Sequence, residues 1–354
     1  MGQLIRFGLL GCGGFGRVHA EVISSLAGAA ALTAVADAAP ARASAFAADF
    51  GCAAGADLRA LCARDDVDAI VVCVPPGSHA DAAIEAVTAG KDVIVDKPLD
   101  ISLEAADRLI AAEARTGRTV SVMSQRRFEP SAQWARRAVE RGALGTVTFA
   151  SAITTQWRPQ SYYDSAGWRG TKAVDGGGAA LNLGVHAMDL LLWLAGEPVR
   201  VQAEAACLVH ERIDVEDTLA ATIRFASGAV GSFTATTAAY PGRPPRVCLY
   251  GDQGGIELGE DTVEFAESVA AGAGDLFAAG AVPDARTGAA GGGSGGLAAH
   301  RAQYHDFIAA VREQRRPTVT TADGRLAVAT IVAMYESARS GRAVEVSTST
   351  ATVR

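Results

Sequence analysis

The run Leu4-Ile5-Arg6-Phe7-Gly8-Leu9-Leu10-Gly11-Cys12-Gly13-Gly14-Phe15-Gly16 decides the fold. Its first half is a short apolar strand. Its second half is a G-x-G-x-x-G turn that opens a helix over 14–27. In that setting Gly11 permits the tight turn, Gly13 lets a pyrophosphate approach the backbone, and Gly16 lets the helix lie close to the strand. Phe15 belongs to the same turn, so it is grouped with the cofactor-binding residues. The free N–H groups and partial positive charge at the helix start favour phosphate. The next apolar run, 31–36, ends in Asp37, twenty-one residues after Gly16. An acid at that distance hydrogen-bonds the ribose hydroxyls of an adenine dinucleotide and repels a 2′-phosphate. Ala38 follows, where an arginine could have held such a phosphate. The expected cofactor is NAD, with NADP the lesser alternative. The competing reading of Asp37 is a simple helix cap.

Further apolar runs at 68–74, 91–95 and 118–123 alternate with alanine-rich stretches at helical spacing, 39–49, 77–89 and 102–115. Short, wholly apolar strands separated by helices predict a parallel sheet covered on both faces, a doubly wound Rossmann domain over 1–124. After a helix at 129–141 the pattern changes. Strand-like runs at 146–157, 199–210, 215–225, 229–238 and 246–251 are joined mostly by short turns, which favours antiparallel pairing. With helices at 179–195, 298–314 and 324–339, residues 125–354 read as one α+β domain on a large, mostly antiparallel sheet. The Gly-rich stretch 270–296 reads as a flexible surface excursion in preference to an active-site lid.

The chain has 354 residues, 49% of them hydrophobic and 20% charged, with a net charge of −7. That composition fits two globular domains and argues against a nucleic-acid binder, which needs a basic face. No apolar run approaches the ~20 residues of a membrane span. The N-terminus reads as a first strand, not a signal peptide. The six cysteines show no CxxC spacing and several sit in apolar runs, so reduced thiols, a cytoplasmic location and no metal site are expected.

Chemistry concentrates in two places. The fifth strand ends Val95-Asp96-Lys97-Pro98, one of only three lysines with Lys91 and Lys172. The C-terminal end of a parallel strand faces the ligand crevice, where the Lys97 amine could hold or deprotonate a reacting oxygen. Pro98 invites a cis bond. Downstream, Asp175-Gly176-Gly177-Gly178 leads into an apolar helix carrying Asn182 and His186, four residues apart and so on one face. His186 is a proton acceptor near neutral pH.

These motifs, with Pro75-Pro76-Gly77-Ser78-His79, make the chain resemble the glucose–fructose oxidoreductase/inositol dehydrogenase/rhizopine-catabolism (Gfo/Idh/MocA) oxidoreductases along nearly its whole length. The resemblance implies an NAD-dependent dehydrogenase that interconverts a secondary hydroxyl and a ketone on a sugar, sugar derivative or cyclic polyol. It also implies a homodimer or homotetramer. It assigns Lys97 and His186 to catalysis and places Pro75 and His79 near the cofactor, although helix-start capping by Ser78 explains the latter segment equally well. Two positions depart from the family pattern. Asp96 stands for its glutamate, and Asn182 stands where inositol dehydrogenases carry an aspartate, so the amide orients the imidazole and Lys97 shares the proton transfer. The aromatic, polar stretch 156–172 supplies Tyr163, Trp168, Arg169 and Lys172 as pocket candidates, or else a loop packed on itself. Arg127 is a candidate anion holder or a domain tie. The same site could instead serve an NAD-dependent glycosidase, which oxidises transiently, or a sugar- or cofactor-sensing regulator.

Overall fold

A computed structural model describes residues 4–278, 283 and 294–348. The chain divides into two compact units, residues 1–125 with 296–325 and 351–354, and residues 126–295 with 326–350.

The first unit is a doubly wound α/β domain. Its strands are β1 (Ile5–Leu10), β2 (Ala30–Ala36), β3 (Ala53–Ala54), β4 (Ala69–Val72), β5 (Asp92–Val95) and β6 (Val120–Val122). They pair in parallel in the order β3-β2-β1-β4-β5-β6. The order reverses between β1 and β4, and the crevice at such a switch point is where dinucleotides bind. The intervening helices are α1 (Gly14–Ser25), α2 (Pro40–Phe50), α3 (Leu58–Cys62), α4 (His79–Thr88) and α5 (Leu103–Thr116). Helix α5 shows both end signals. The Ser102 hydroxyl accepts from Ala105 N–H, and Gly117 closes the helix in the left-handed conformation. All four residues of β4 are fully buried, as a strand covered on both faces must be.

The chain does not separate cleanly at residue 124. Segment 296–325 packs with the first unit because an apolar helix face there completes its core. Tyr304 and Phe307 are fully buried, with their rings 5.5 and 6.1 Å from that of Phe7 in β1. Each such side chain contributes roughly 1.5–3 kcal/mol by leaving water.

The second unit carries helix α6 (Pro130–Glu140), β7 (Val147–Thr155), the short helix α7 (Gln160–Asp164), helix α8 (Val185–Ala195), and β8 (Pro198–Ala206) to β9 (Thr218–Phe225) and β10 (Val230–Thr236). Strands β11 (Arg246–Gly251), β12 (Gly254–Leu258) and β13 (Val263–Ser268), helix α9 (Gly274–Phe277) and strand β14 (Val344–Glu345) complete it, with helices α10 (Ser294–Glu313) and α11 (Thr321–Ser340) preceding β14 in the chain. The eight strands run β13-β12-β11-β7-β10-β9-β8-β14, antiparallel except for β10 beside β7. Leu219, Ala221, Ile223 and Phe225 of β9 alternate inward, the period of a sheet with one face packed.

Two local expectations are corrected. The helix expected over 179–195 begins as a π-helical turn, Ala179–Gly184, before α8 proper. The Gly-rich stretch is not loop throughout. Phe277 of α9 packs edge-on against Trp134 at 5.2 Å, and Trp134 donates to the Leu276 carbonyl. Residues 279–282 and 284–293 of that stretch lie outside the described residues. Among the described residues no helix is long and apolar enough to cross a membrane.

Candidate active site

In the first unit, the glycine turn is shaped by close contacts. A Cβ on Gly11, whose φ is +105°, would lie 2.1 Å from the Cys73 carbonyl oxygen, and one on Gly16 would lie 2.1 Å from that of Gly11. Gly13 differs, since nothing lies within 4 Å of its Cβ position. The turn is therefore packed from behind and open in front, which fits a pyrophosphate laid against the backbone at the start of α1. Asp37, at the end of β2, ties the turn down. Its carboxylate accepts from Cys12 N–H at 2.8 Å and Ala39 N–H at 2.8 Å, with Arg42 at 2.8 Å. Burial works against the charge of Asp37, but Arg42 and these amides hold its carboxyl below the ordinary value. Oδ1 accepts two of these hydrogen bonds and Oδ2 only one, which leaves acceptor capacity on Oδ2 for ribose hydroxyls. Arg42 was not anticipated, because it reaches Asp37 from the next helix, beyond Ala38.

Lys97 follows β5 through a cis bond to Pro98. Its Nζ lies 5.7 Å from the centroid of Phe15, so the amine stands at the glycine turn. Behind it, Asp96 lies 3.8 Å from His19 Nε2, and His19 Nδ1 meets the Tyr304 hydroxyl at 2.8 Å. One His19 nitrogen, the Cys73 sulfur and one Asp96 oxygen fall within 4.8 Å of one another. Burial opposes ionisation of Asp96, yet His19, Lys97 and His79 hold its carboxyl well below the carboxylate range. His79 is buried, not open to the crevice. Its ring nitrogens meet the carbonyl oxygens of Pro98 at 2.6 Å and Val74 at 2.8 Å. It thus braces the loop entering at Pro75 against the turn that carries Lys97. Ser78 makes no side-chain cap, and Asp100 accepts from Ala80 N–H instead.

In the second unit, the glycine run meets a buried carboxylate. Glu216 accepts from Gly178 N–H at 2.9 Å, Ala180 N–H at 2.8 Å and the Tyr335 hydroxyl at 2.9 Å. A helix start with free N–H groups attracts an anion, and here the protein supplies its own. A Cβ on Gly178 would lie 1.7 Å from the Glu216 carbonyl oxygen, so only glycine fits. Burial pushes the Glu216 carboxyl above its ordinary value. The clamp fixes the element bearing Asn182 and His186, with His186 half-buried in the first turn of α8.

Asn182 belongs to a chain of hydrogen bonds. Its amide nitrogen donates to Asp175 at 2.7 Å, and Asp175, 2% exposed, also accepts from Gly170 N–H. The Tyr162 hydroxyl lies 3.4 Å from the Asn182 oxygen and accepts from Arg169 at 2.7 Å. Arg158, Tyr162, Tyr163, Asp175, Asn182 and Thr237 line a small cavity. Tyr163 is buried, with its hydroxyl 2.8 Å from that of Thr237. Trp168 lies under the Arg169 guanidinium at 4.7 Å. Lys172 is exposed, and its backbone N–H is held by Asp214. Arg127 already holds an anion. It forms a buried bidentate pair with Asp189, at 2.8 and 2.6 Å, within the second unit. Sequence reasoning passed over Arg158, Tyr162 and Asp175, although all three stand inside the motifs it quoted. Glu216 and Tyr335 gave no local signal.

The comparisons with known proteins agree with this layout. The family model described as an oxidoreductase family with an NAD-binding Rossmann fold matches residues 5–124, and that of the GFO/IDH/MocA C-terminal domain matches 132–257. Inositol 2-dehydrogenase of Rhizobium meliloti is 32% identical over 71% of this chain and 74% of its own length. The scyllo-inositol 2-dehydrogenase (NAD(+)) of Bacillus subtilis is 26% identical over 98% of this chain and 97% of its own. Among solved structures, the WlbA dehydrogenase from Chromobacterium violaceum, in complex with NADH and UDP-GlcNAcA, matches with a TM-score of 0.87 at 30% identity, covering 97% of this chain and 96% of that one. Levoglucosan dehydrogenase, in complex with NADH and levoglucosan, matches with a TM-score of 0.86 at 26% identity, over 98% of this chain and all of that one.

Proposed function

The chain belongs to the GFO/IDH/MocA oxidoreductases, NAD-dependent dehydrogenases of sugars and polyols, and from that premise we propose that it oxidises a secondary hydroxyl of a sugar, sugar derivative or cyclic polyol with Lys97 and His186 as its proton-handling pair. Gly11, Gly13, Phe15, Gly16 and Asp37 hold the cofactor. When bound, NAD supplies the hydride acceptor. The Lys97 ammonium hydrogen-bonds the substrate oxygen and stabilises negative charge as it develops there. His186 takes the hydroxyl proton, and Asn182 orients the imidazole. Ketone reduction is the reverse. The observation that carries this reading is the position of Lys97: the amine at the end of β5 lies beside Phe15 of the glycine turn. The relatives' names, which include inositol dehydrogenases and a levoglucosan dehydrogenase, support the polyol class.

Assembly into a homodimer or homotetramer goes with this reading. The sheet of the second unit exposes Phe149, Ile153 and Val230 on the neighbouring strands β7 and β10, with Val230 directly opposite Phe149. An apolar strip of that kind suits a contact between copies.

The test is a panel of sugars, inositols and anhydrosugars with NAD, followed by NADH absorbance. At least one should be oxidised, and Lys97→Ala should abolish turnover while NADH still binds. Full turnover by Lys97→Ala would remove the assignment.

A further inference from the structure

We propose that the cavity beside Asn182 contains an anion subsite built on Arg158, so that the substrate carries a carboxylate or a phosphate on its polyol ring. That the anion belongs to a substrate rests on the dehydrogenase reading above; the subsite itself lies within the second unit.

The backbone of Arg158 is held on both sides. Its N–H donates to the Thr237 carbonyl at 2.9 Å. Its carbonyl accepts from His210 Nε2 at 2.8 Å, and His210 Nδ1 stands 3.0 Å from Asp217, a fully buried carboxylate. The guanidinium then lies over the Tyr162 ring, 5.0 Å from its centroid, and lines the cavity with Asn182. Stacking satisfies the face of a guanidinium and leaves its edge N–H groups directed outward. That planar fork matches carboxylate and phosphate oxygens two at a time.

A second guanidinium adds to the charge. Arg169 lies 4.4 Å from the same Tyr162 centroid, and its Nε is buried with no hydrogen-bond partner among the described residues. Neither Arg158 nor Arg169 meets a carboxylate at ion-pair distance among the described residues. The well-buried arginines elsewhere do: Arg126 meets Glu129, Arg127 meets Asp189 and Arg325 meets Asp107. The acid nearest the pair in the hydrogen-bond chain, Asp175, is committed to Gly170 and Asn182. Two guanidinium groups lie on one ring, half withdrawn from water, beside a cavity whose carboxylate, Asp175, is already hydrogen-bonded to Gly170 and Asn182, and the surplus positive charge favours an arriving anion over a neutral hydroxyl.

The test is equilibrium binding to the NADH-loaded protein by titration calorimetry, with D-glucuronate, glucose 6-phosphate and D-glucose as probes. At least one anion should bind about tenfold or more tightly than glucose, and which one does distinguishes carboxylate from phosphate. Arg158→Gln should weaken that anion by about 10- to 100-fold, the range of a charge-assisted hydrogen bond, while glucose and NADH binding stay within threefold. Arg158→Lys, which keeps the charge and loses the fork, should recover part of the loss. Equal binding of anions and glucose, or an unchanged gap in Arg158→Gln, would overturn the subsite. Parallel mixtures with NAD read turnover separately. An anion that binds through Arg158 yet gives no NADH leaves the subsite standing and counts against the dehydrogenase reading. Neutral polyols oxidised with no anion preference do the reverse.

Discussion

Replacing Gly13 by alanine separates cofactor binding from folding. Gly13 has φ −82° and ψ −167°, a conformation open to any L-residue, and its added Cβ meets nothing within 4 Å. Alanine at a compatible site gains about 0.4–1 kcal/mol from the less flexible unfolded chain, and loses about 0.5–1 kcal/mol as an N-cap, so the two nearly cancel. The folded protein should therefore melt within about 3 °C of wild type. The new methyl nevertheless stands in the space through which a pyrophosphate reaches the backbone. Losing one hydrogen bond from an amide to a charged group costs about 1.5–3 kcal/mol, so NADH binding should weaken about 10- to 150-fold. Gly16→Ala is the contrasting variant. Its Cβ would lie 2.1 Å from the Gly11 carbonyl oxygen, so α1 must move, at about 1–3 kcal/mol or more. Thermal melts report the folding half and calorimetric titration with NADH reports the binding half. Gly13→Ala binding NADH within threefold of wild type would refute the argument that the open side of the turn is the phosphate side.

Three further outcomes follow from particular contacts. Glu216→Ala strands the Gly178 and Ala180 N–H groups and the Tyr335 hydroxyl. It should cost roughly 3–5 kcal/mol in urea unfolding, and a loss under about 1 kcal/mol would show that the carboxylate is not the clamp. Asp37→Ser leaves Arg42 without its partner, so the ratio of NADPH to NADH affinity should rise about tenfold or more; an unchanged ratio in paired titrations counts against the role of Asp37 in cofactor choice. Burial pushes the Glu129 carboxyl up to about 7, against the attraction of Arg126, so the folded protein holds that proton more tightly than the unfolded chain. Its contribution is complete below about pH 4.5 and is lost as pH rises through about 7, roughly 3 kcal/mol in all, and a Glu129→Gln variant that kept the wild-type slope in urea midpoints across that window would exclude Glu129 as the source.

The legible parts of this molecule are those whose cause lies within a few consecutive residues. The strand, glycine turn and helix of 5–25 declare themselves locally, and so does the lysine after β5. Contacts that close over distance do not. Glu216 reaches Gly178 and Ala180 from nearly forty residues away, and nothing around it marks it as a helix clamp. Segment 296–325 reads as part of the second domain because it follows it in the chain. Its place is set instead by Tyr304 and Phe307 against Phe7, a fit invisible to periodicity. Strands β12 and β13 were not among the expected strands; in β12 the small size of Gly255 lets Tyr250 and Phe265 pack across it. Arg127 was misjudged as well. Its chemistry suited a ligand, but Asp189 of α8, 62 residues further along the chain, already supplies the carboxylate.

The amide at position 182 becomes intelligible only with its neighbour in view. The family resemblance puts an aspartate at this position in inositol dehydrogenases. This chain has Asp175 one hydrogen bond further back, with its oxygen 2.7 Å from the Asn182 nitrogen. An aspartate at 182 would bring two carboxylates to that separation in a half-buried setting, and one would have to keep a proton. Asparagine avoids the conflict. It donates to Asp175 with its nitrogen and thereby turns its oxygen towards the Tyr162 hydroxyl, so the amide cannot flip without losing both partners. What position 182 loses in charge it keeps in orientation.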